Sequence, residues 1–553
     1  MKGKRILALL LAAVMMLSLA ACGSSGGQSA TTAAPAGGDA TTAAPAGSEE
    51  TTAVSNEGNN AKTGGSLIIG SMSDCTTFAP WGERGGGRMA VRRALYETLI
   101  HLNSDGSYDY DLAKSLTEVS DGVYDIEIYD YIKDTAGNPM TADDVVFSFD
   151  KAKDIATLTA YFTGLKSVEA TGDYTVKFTF SDEKIGGLEK LLDSVYVITE
   201  AGWEQSGDEM TLNPIGTSPY VLDEYVSGQK MVFKKADSYW QTDELTISFI
   251  KPNVDSFTWL VINDKSQQAI ALESGTIDAS NSITSADEVN FIGADGNPLP
   301  GYGVIESYKS DLSSIHFNCS DDSACKDENL RKAICYAIDS AAVIKSYYGK
   351  AGIQCTNFAS EAYKDYNPAV ERDEYYNYDV DKAKEYLGKS DYKSEELTLL
   401  CNSDTENTTM ATLVQAYCDA IGVKVVIEYY DKNLTNSYLS DMTYHFDMYL
   451  GTSYGGDYSY EVLSVLTDYY YENGTSVNRI SDPELTKLYD IASAKKTSSV
   501  DTLNDFYNAL YDKCYSYAIG YFIQNVIYNA DKISSLGVTA DKFNIQPNNS
   551  VLK

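Results

Sequence analysis

The segment Gly451-Thr452-Ser453-Tyr454-Gly455 fits the Gly-x-Ser-x-Gly turn that lifts a nucleophilic serine above the end of a strand. Such a serine needs a base, and in the hydrolase fold that uses this turn the base histidine follows the serine in chain order. The last histidine here is His445, upstream of Ser453, so Ser453 stays a weak nucleophile and a surface hydrolase is the lesser reading. Asp457 closes the same turn, just ahead of a helix predicted over 458–466, a place where aspartate commonly caps. The turn also follows a strand predicted over 446–451, and open α/β sheets keep ligands at the carboxyl ends of their strands. Metals and nucleotides fit poorly. The chain has three histidines, His101, His316 and His445, and neither His-Glu-x-x-His nor Cys-x-x-Cys, so no metal and no cofactor is expected. Gly85-Gly86-Gly87 lacks the Gly-Lys-Ser/Thr ending of a phosphate loop and reads as a turn.

The elements that must position that turn begin with an address. Lys2, Lys4 and Arg5 precede an apolar run from Ile6 to Ala21, and Leu19-Ala20-Ala21-Cys22-Gly23 closes it with small residues around a cysteine. The run is short and nothing after it reads as stop-transfer, so residues 1–22 are expected to be an export signal. The stretch resembles a bacterial lipobox, which implies that Cys22 becomes the first residue of the mature chain and carries the lipid. Residues 23–65 are rich in Gly, Ser, Ala and Thr, with Thr31-Thr32-Ala33-Ala34-Pro35-Ala36-Gly37 recurring at 41–47. They lack the apolar surface to offset backbone ordering and read as a disordered stalk with a typical span of roughly 35 to 40 Å.

The rest of the chain is too long for one ordinary core, so two or three lobes are expected. The formal net charge is −36, more negative still once the leader's cations are removed, which disfavours nucleic acid and electrostatic docking to anionic lipid. Eight cysteines remain beside Cys22, an even number that permits disulfides in an exported protein, with Cys319 and Cys325 the easiest local pair. The surplus residue is tyrosine, 43 in all, which suits a cleft that must hold varied ligands.

Periodicity predicts a strand at 67–70, a helix over 89–99, and a half-buried strand where Tyr124, Ile126 and Ile128 alternate with polar residues. Thr141-Ala142-Asp143-Asp144 caps a helix carrying Val145, Val146, Phe147 and Phe149, and 220–225 with 230–235 reads as a hairpin. Leu330, Ala333, Ile334, Ala337 and Ile338 fall at helical spacing. The strand 397–400, a helix with Met410, Leu413, Val414, Cys418 and Ile421 ending at Gly422, and the strand 423–429 form one βαβ unit.

The run Asp121-Gly122-Val123-Tyr124 through Pro139-Met140-Thr141-Ala142-Asp143-Asp144-Val145-Val146-Phe147-Ser148-Phe149 resembles the signature of extracellular solute-binding proteins of family 5, the oligopeptide and dipeptide receptors of ABC importers. Further matches follow in the family's order: Tyr96-Glu97-Thr98-Leu99, Gly216-Thr217-Ser218-Pro219-Tyr220 with Tyr239-Trp240, Leu272-Glu273-Ser274-Gly275-Thr276-Ile277-Asp278, and Leu330-Arg331-Lys332-Ala333 with Ala337-Ile338-Asp339. The resemblance implies a two-lobed α/β fold of the type II periplasmic-binding-protein kind. In it, residues 66–104, 215–308 and 515–553 form lobe 1, residues 105–214 a domain inserted into lobe 1, and residues 309–514 lobe 2. The crossings near Tyr302 to Ser314 and Tyr515 to Gly520 are the hinge candidates.

By the same resemblance Asp457 aligns with the aspartate that receives a peptide's α-ammonium, and Tyr454 takes a flanking place against a ligand side chain. Ser453, Tyr454, Gly455 and Asp457 are thus the expected ligand-facing residues. The chain departs from the family after Asp457, reading Tyr458-Ser459-Tyr460-Glu461 without a proline turn. It also offers Tyr449 and Leu450 where some oligopeptide receptors place an arginine, so no group for the ligand's carboxyl end is assigned. The resemblance implies no enzyme. It implies a lipid-anchored receptor on the extracellular face of the bacterial cell membrane, whose partners are a short peptide and the permease subunits of an ABC transporter. An oligosaccharide is the alternative cargo.

Overall fold

The structure is a computed structural model and describes residues 64–81, 88–103, 105–155, 157–242, 245–247, 249–453, 456–472, 474, 476–539, 542 and 544–553. All lie in one unit, Asn60–Lys553. The expected signal segment, Cys22, nearly all of the expected stalk and the loop 82–87 fall outside the described residues.

Alternation becomes sheet where one face can be buried. Tyr124, Ile126 and Ile128 point into the core from the strand Val123–Ile128, which pairs with Ala113–Ser120 and Thr175–Phe180; Leu165–Gly172 completes a four-stranded antiparallel sheet. Against it lies the helix Ala142–Ala152. Its start is fixed because the Thr141 N–H and hydroxyl both donate to the Asp144 carboxylate, at 2.7 and 3.1 Å. Phe149 meets Phe178 of the sheet edge to face, with ring centroids 5.0 Å apart.

A twelve-stranded sheet organises the rest. Across it run Lys424–Tyr430, Glu396–Asn402, Met448–Ser453, Leu312–Phe317, Ser516–Asn529, Ala279–Ser280, Ser66–Ser71, Ser256–Val261, Lys230–Lys235 and Tyr220–Val226, with Tyr302–Tyr308 and Gly352–Gln354 also paired to Ser516–Asn529. The expected βαβ unit is present: Glu396–Asn402 and Lys424–Tyr430 are parallel, and the helix Thr405–Ile421 between them stops at Gly422, whose φ of 89° is a conformation glycine adopts without strain.

The long strand Ser516–Asn529 belongs to both halves of the sheet. Its residues 516–520 pair with Leu312–Phe317, and 523–529 pair with Tyr302–Tyr308. Between these stretches Gly520, Tyr521 and Phe522 pair with Gly352–Gln354. Two principal apolar cores flank the changeover. One gathers Leu67, Ile69, Phe233, Phe257 and Trp259 with Ile126, Val176 and Phe178; the other gathers Leu312, Ile315, Leu330, Ile334, Leu399, Val414 and Phe506.

Some boundaries depart from expectation. The helix expected over 89–99 spans Arg88–Arg93 and stops there, because tertiary bonds draw the next residues into extended backbone. The Tyr96 hydroxyl donates to Phe78 O at 2.9 Å, and Glu97 is bridged to Val197 while its carboxylate accepts from Trp240 Nε1 at 2.8 Å. The strand expected over 446–451 is Met448–Ser453, in register with Leu312–Phe317, so Ser453 closes the ladder instead of opening the turn. Cys319 and Cys325 are not joined in a disulfide, nor is any of the other six described cysteines, and all eight are buried.

Candidate functional site

The strand Met448–Ser453 delivers the chain to the carboxyl end of the sheet beside Glu396–Asn402, to which it runs parallel. Ser453 is described only as backbone, paired with Leu312, and Tyr454 and Gly455 lie outside the described residues. Of the four expected ligand-facing side chains, the structure therefore describes that of Asp457.

Asp457 does not cap the helix that follows it. That helix, Ser459–Leu463, is capped from within: Glu461 Oε2 accepts the Asp457 N–H at 2.6 Å and the Tyr458 N–H at 3.2 Å. Ser459 donates through its N–H and hydroxyl to Asp365, at 2.8 and 2.5 Å, and Lys364 N donates to Asp457 O at 2.7 Å, which fixes the turn to the loop 363–365. With its capping duty taken by Glu461, the Asp457 carboxylate turns outward.

There it meets two ammonium groups. Lys190 Nζ lies 2.8 Å from Asp457 Oδ2, and Lys364 Nζ lies 3.5 Å from Oδ1. Lys190 comes from the helix Gly187–Ser194, beside the four-stranded sheet and far from Asp457 in sequence; it also reaches Glu461, at 2.5 Å to Oε1 and 2.7 Å to Oε2, and sits 5.0 Å from the centre of the Tyr161 ring. Burial pushes the Asp457 carboxyl up, but Lys190 and Lys364 outweigh it and hold the group below its ordinary value. Burial likewise opposes the Lys190 charge, yet Asp457 and Glu461 hold its ammonium well above the usual range. The Lys190 side chain is 8% exposed, whereas that of Asp457 is 41% exposed, so the carboxylate is the more open of the two to a solute.

The segment leading to Lys190 forms an arm across to the second core's residues. Ile185 N donates to Ser493 O and Lys495 N to Glu183 O, both at 2.9 Å, and Lys184 Nζ donates to Ser493 Oγ at 2.7 Å. Charge pairs cross in both directions: Lys184 with Asp490 at 3.7 Å, Lys495 with Glu183 at 3.2 Å, and Lys496 with Asp121. Beside this arm lies a cavity of about 990 Å³, walled by Tyr161, Tyr460, Tyr469 and Tyr489 with Lys190 and Lys495 on its lining. Its aromatic walls and paired charges suit an amphipathic solute of small-peptide size.

Gly186 is the closest approach. Its φ of 65° is left-handed, and a Cβ built there would stand 2.0 Å from Tyr458 Cζ. Replacing Gly186 by Val is expected to cost the contact between the arm and Tyr458 roughly 1 to 3 kcal/mol, as overpacking does, and to hold the arm away. Small-angle scattering should then give a larger radius of gyration than wild type with unchanged secondary structure; an unchanged radius would count against the arm as a closing contact.

The histidines are occupied elsewhere. His316 Nδ1 lies 2.8 Å from Ser516 Oγ, its ring stacks on Tyr449, and burial holds its pKa down at about 4. His101 lies 3.5 Å from Asp193, and His445 faces Asp322 and Asp447. Among the described residues, no group of three His, Cys, Asp or Glu side chains can hold a metal ion, and no helix is long and apolar enough to cross a membrane. Lys190, Lys364, Glu461 and the arm were not anticipated from the sequence. Glu461 carried a local signal, four residues after Asp457 in a predicted helix; the lysines carried none.

A family model described as bacterial extracellular solute-binding proteins, family 5 Middle, matches residues 107–476. The probable peptide-binding protein YejA of Agrobacterium fabrum is 26% identical over 309 residues, covering 50% of this chain and 48% of that protein, so the match spans about half the relative's length. The glutathione-binding protein GsiB of Escherichia coli K12 is 25% identical over 374 residues, 65% of this chain and 69% of that protein. Among solved structures, the ABC transporter substrate-binding protein CtaP of Listeria monocytogenes superposes with a TM-score of 0.74 at 23% identity, over 88% of this chain and 99% of that one. The oligopeptide-binding protein AppA of Bacillus subtilis, in complex with a nonapeptide, gives 0.68 at 18% identity, over 89% and 100%. These likenesses establish a mixed α/β, two-lobed fold.

Proposed function

The chain belongs to the bacterial extracellular solute-binding proteins of family 5, and on that premise we propose that it captures short peptides between its lobes and passes them to the permease of an ABC transporter. The observation that carries this reading is the reachable Asp457 carboxylate in the turn after the strand Met448–Ser453; its partners Lys190 and Glu461 line a tyrosine-walled cavity, where a peptide's ammonium gains more than it would on an open surface. The names of its relatives, which bind peptides or glutathione, support the same cargo class.

Lobe 1 comprises residues 66–104, 215–308 and the end of the chain, with residues 105–214 inserted, and lobe 2 comprises residues 309–514. The long strand exchanges partners between Gly520 and Ile523, and residues 309–311 separate its two antiparallel neighbours, so closure bends the chain at 309–311 and 521–522. Cys22 carries the lipid that keeps the receptor at the extracellular face. On this reading Ser453, Tyr454 and Gly455 remain the further ligand-facing residues, and backbone groups at strand edges supply affinity for peptides of many sequences.

A thermal-shift panel tests the cargo. Di-, tri- and tetrapeptides are expected to raise the melting midpoint, by about 3 kcal/mol of linkage at a hundredfold excess over Kd. The tyrosine walls also suit sugar rings, so oligosaccharides form the comparison arm; a rise with sugars and none with peptides would replace the peptide reading.

A further inference from the structure

Lys190 occupies a position that the cleft itself defines as a cation site. Three carboxylate oxygens lie within 2.8 Å of its ammonium, a tyrosine face stands 5.0 Å away, and a cavity adjoins it. The lysine reaches these acceptors from one lobe while Asp457, Glu461 and Lys364 all belong to the other. We propose that Lys190 is an internal stand-in for the ligand's cation, bridging the lobes in the unliganded receptor and selecting ligands whose primary ammonium can displace it.

This rests on the reading of Asp457 as ligand-facing. Charge repulsion then decides what binding must do. Lys190 and Lys364 already contact Asp457, and Asp365 stands as a further carboxylate against the same turn, so a further ammonium on Asp457 competes with Lys190 for the same carboxylate oxygens and repels it at close range. Losing a proton does not relieve the repulsion, because Asp457 and Glu461 hold the Lys190 ammonium against deprotonation. The ligand must therefore exchange with Lys190. Lys364 lies on the same lobe as both carboxylates and stays, so the exchange leaves the number of cations beside Asp457 and Glu461 unchanged.

Only the lysine from the opposite lobe can leave by a hinge motion. The helix Gly187–Ser194 is anchored by buried Leu188, Leu191 and Leu192, so Lys190 leaves the carboxylates with its own lobe or by swinging its side chain. A ligand without an ammonium has nothing to offer Asp457 and leaves Lys190 in place.

The test uses the intact protein, a mixed tripeptide pool with free amino termini, and the same pool N-acetylated, with binding read by equilibrium dialysis. Lys190→Met is expected to tighten binding of the free-amine pool at least about fivefold, since no internal cation competes, and to leave the acetylated pool within about twofold. Lys190→Arg, which keeps the pairing, is expected to behave as wild type and controls for folding. Equal changes in both pools, weaker binding of the free-amine pool, or no binding by any variant would overturn the assignment. Asp457→Asn separates the two claims. If Asp457→Asn weakens both pools equally, the ligand-facing reading falls; if it weakens the free-amine pool alone while Lys190→Met leaves that pool unchanged, Lys190 alone loses its role.

Discussion

Asp457→Asn is expected to weaken binding of tripeptides with a free α-ammonium by roughly tenfold to a hundredfold, while their N-acetylated forms change by no more than about twofold. Asparagine keeps the shape and removes the charge, so the turn fixed by Asp365 and Glu461 stays in place. What is lost is the carboxylate that both Lys190 and Lys364 contact, so an arriving ammonium meets the same two lysines with one anion fewer. The carboxyl of Asp457 sits below its ordinary value of 3.8. A depressed acid contributes fully above that value and loses its contribution as the pH falls through its own lower pKa, so wild-type affinity for free peptides should be level from about pH 7 to about 5 and fall at higher pH as the peptide's α-ammonium, with a pKa of about 7.7 to 8.0, loses its proton. Titration calorimetry on the two peptide forms decides the matter, and equal losses for both would remove Asp457 from the ammonium's position.

Arg331→Met carries the largest expected cost to stability, about 4 kcal/mol, read as a lowered urea midpoint. Arg331 lies in the Leu330-Arg331-Lys332-Ala333 segment, and its guanidinium donates to four backbone carbonyls: Cys514 O at 2.9 Å, Lys513 O at 2.5 Å, Cys325 O at 2.9 Å and Lys326 O at 2.8 Å. It also lies 5.2 Å from the Tyr515 ring centre. Methionine fills much of the volume but leaves buried acceptors without donors, each costing about 1 to 3 kcal/mol before relaxation. Because these contacts tie the end of the helix Val500–Lys513 to the start of Glu328–Ala337, the loss falls on the second core while peptide selectivity in the folded fraction is unaffected. A shift below about 1 kcal/mol would mean that water or neighbouring donors reach those carbonyls.

The sequence was readable wherever structure is local. The cap at Thr141, the hairpin of Tyr220–Val226 with Lys230–Lys235, and the βαβ unit ending at Gly422 follow from alternation, capping chemistry and a left-handed glycine, each decided within a few residues. Arg331 was visible as part of a motif, but its four carbonyl partners are supplied by two separate chain segments. The site was legible in half. Asp457 stood out at the end of a strand, yet Lys190 is 267 residues earlier in a helix whose sequence gives no sign of leaving its own lobe. The helix expected to continue through Leu99 failed for the same reason: Glu97 is claimed by Trp240 and Val197, distant partners that override a local preference.

The strand Ser516–Asn529 completes both halves of the large sheet, and it is the last of that sheet's strands in chain order. Until this strand docks, the ladder on either side of the changeover stays open along one edge, so the two halves of the sheet are completed together. Biogenesis is thereby coupled to near-completion of synthesis: a chain interrupted before residue 516 leaves two unfinished sheets with exposed edges, which is the form that quality-control proteases find easiest to recognise.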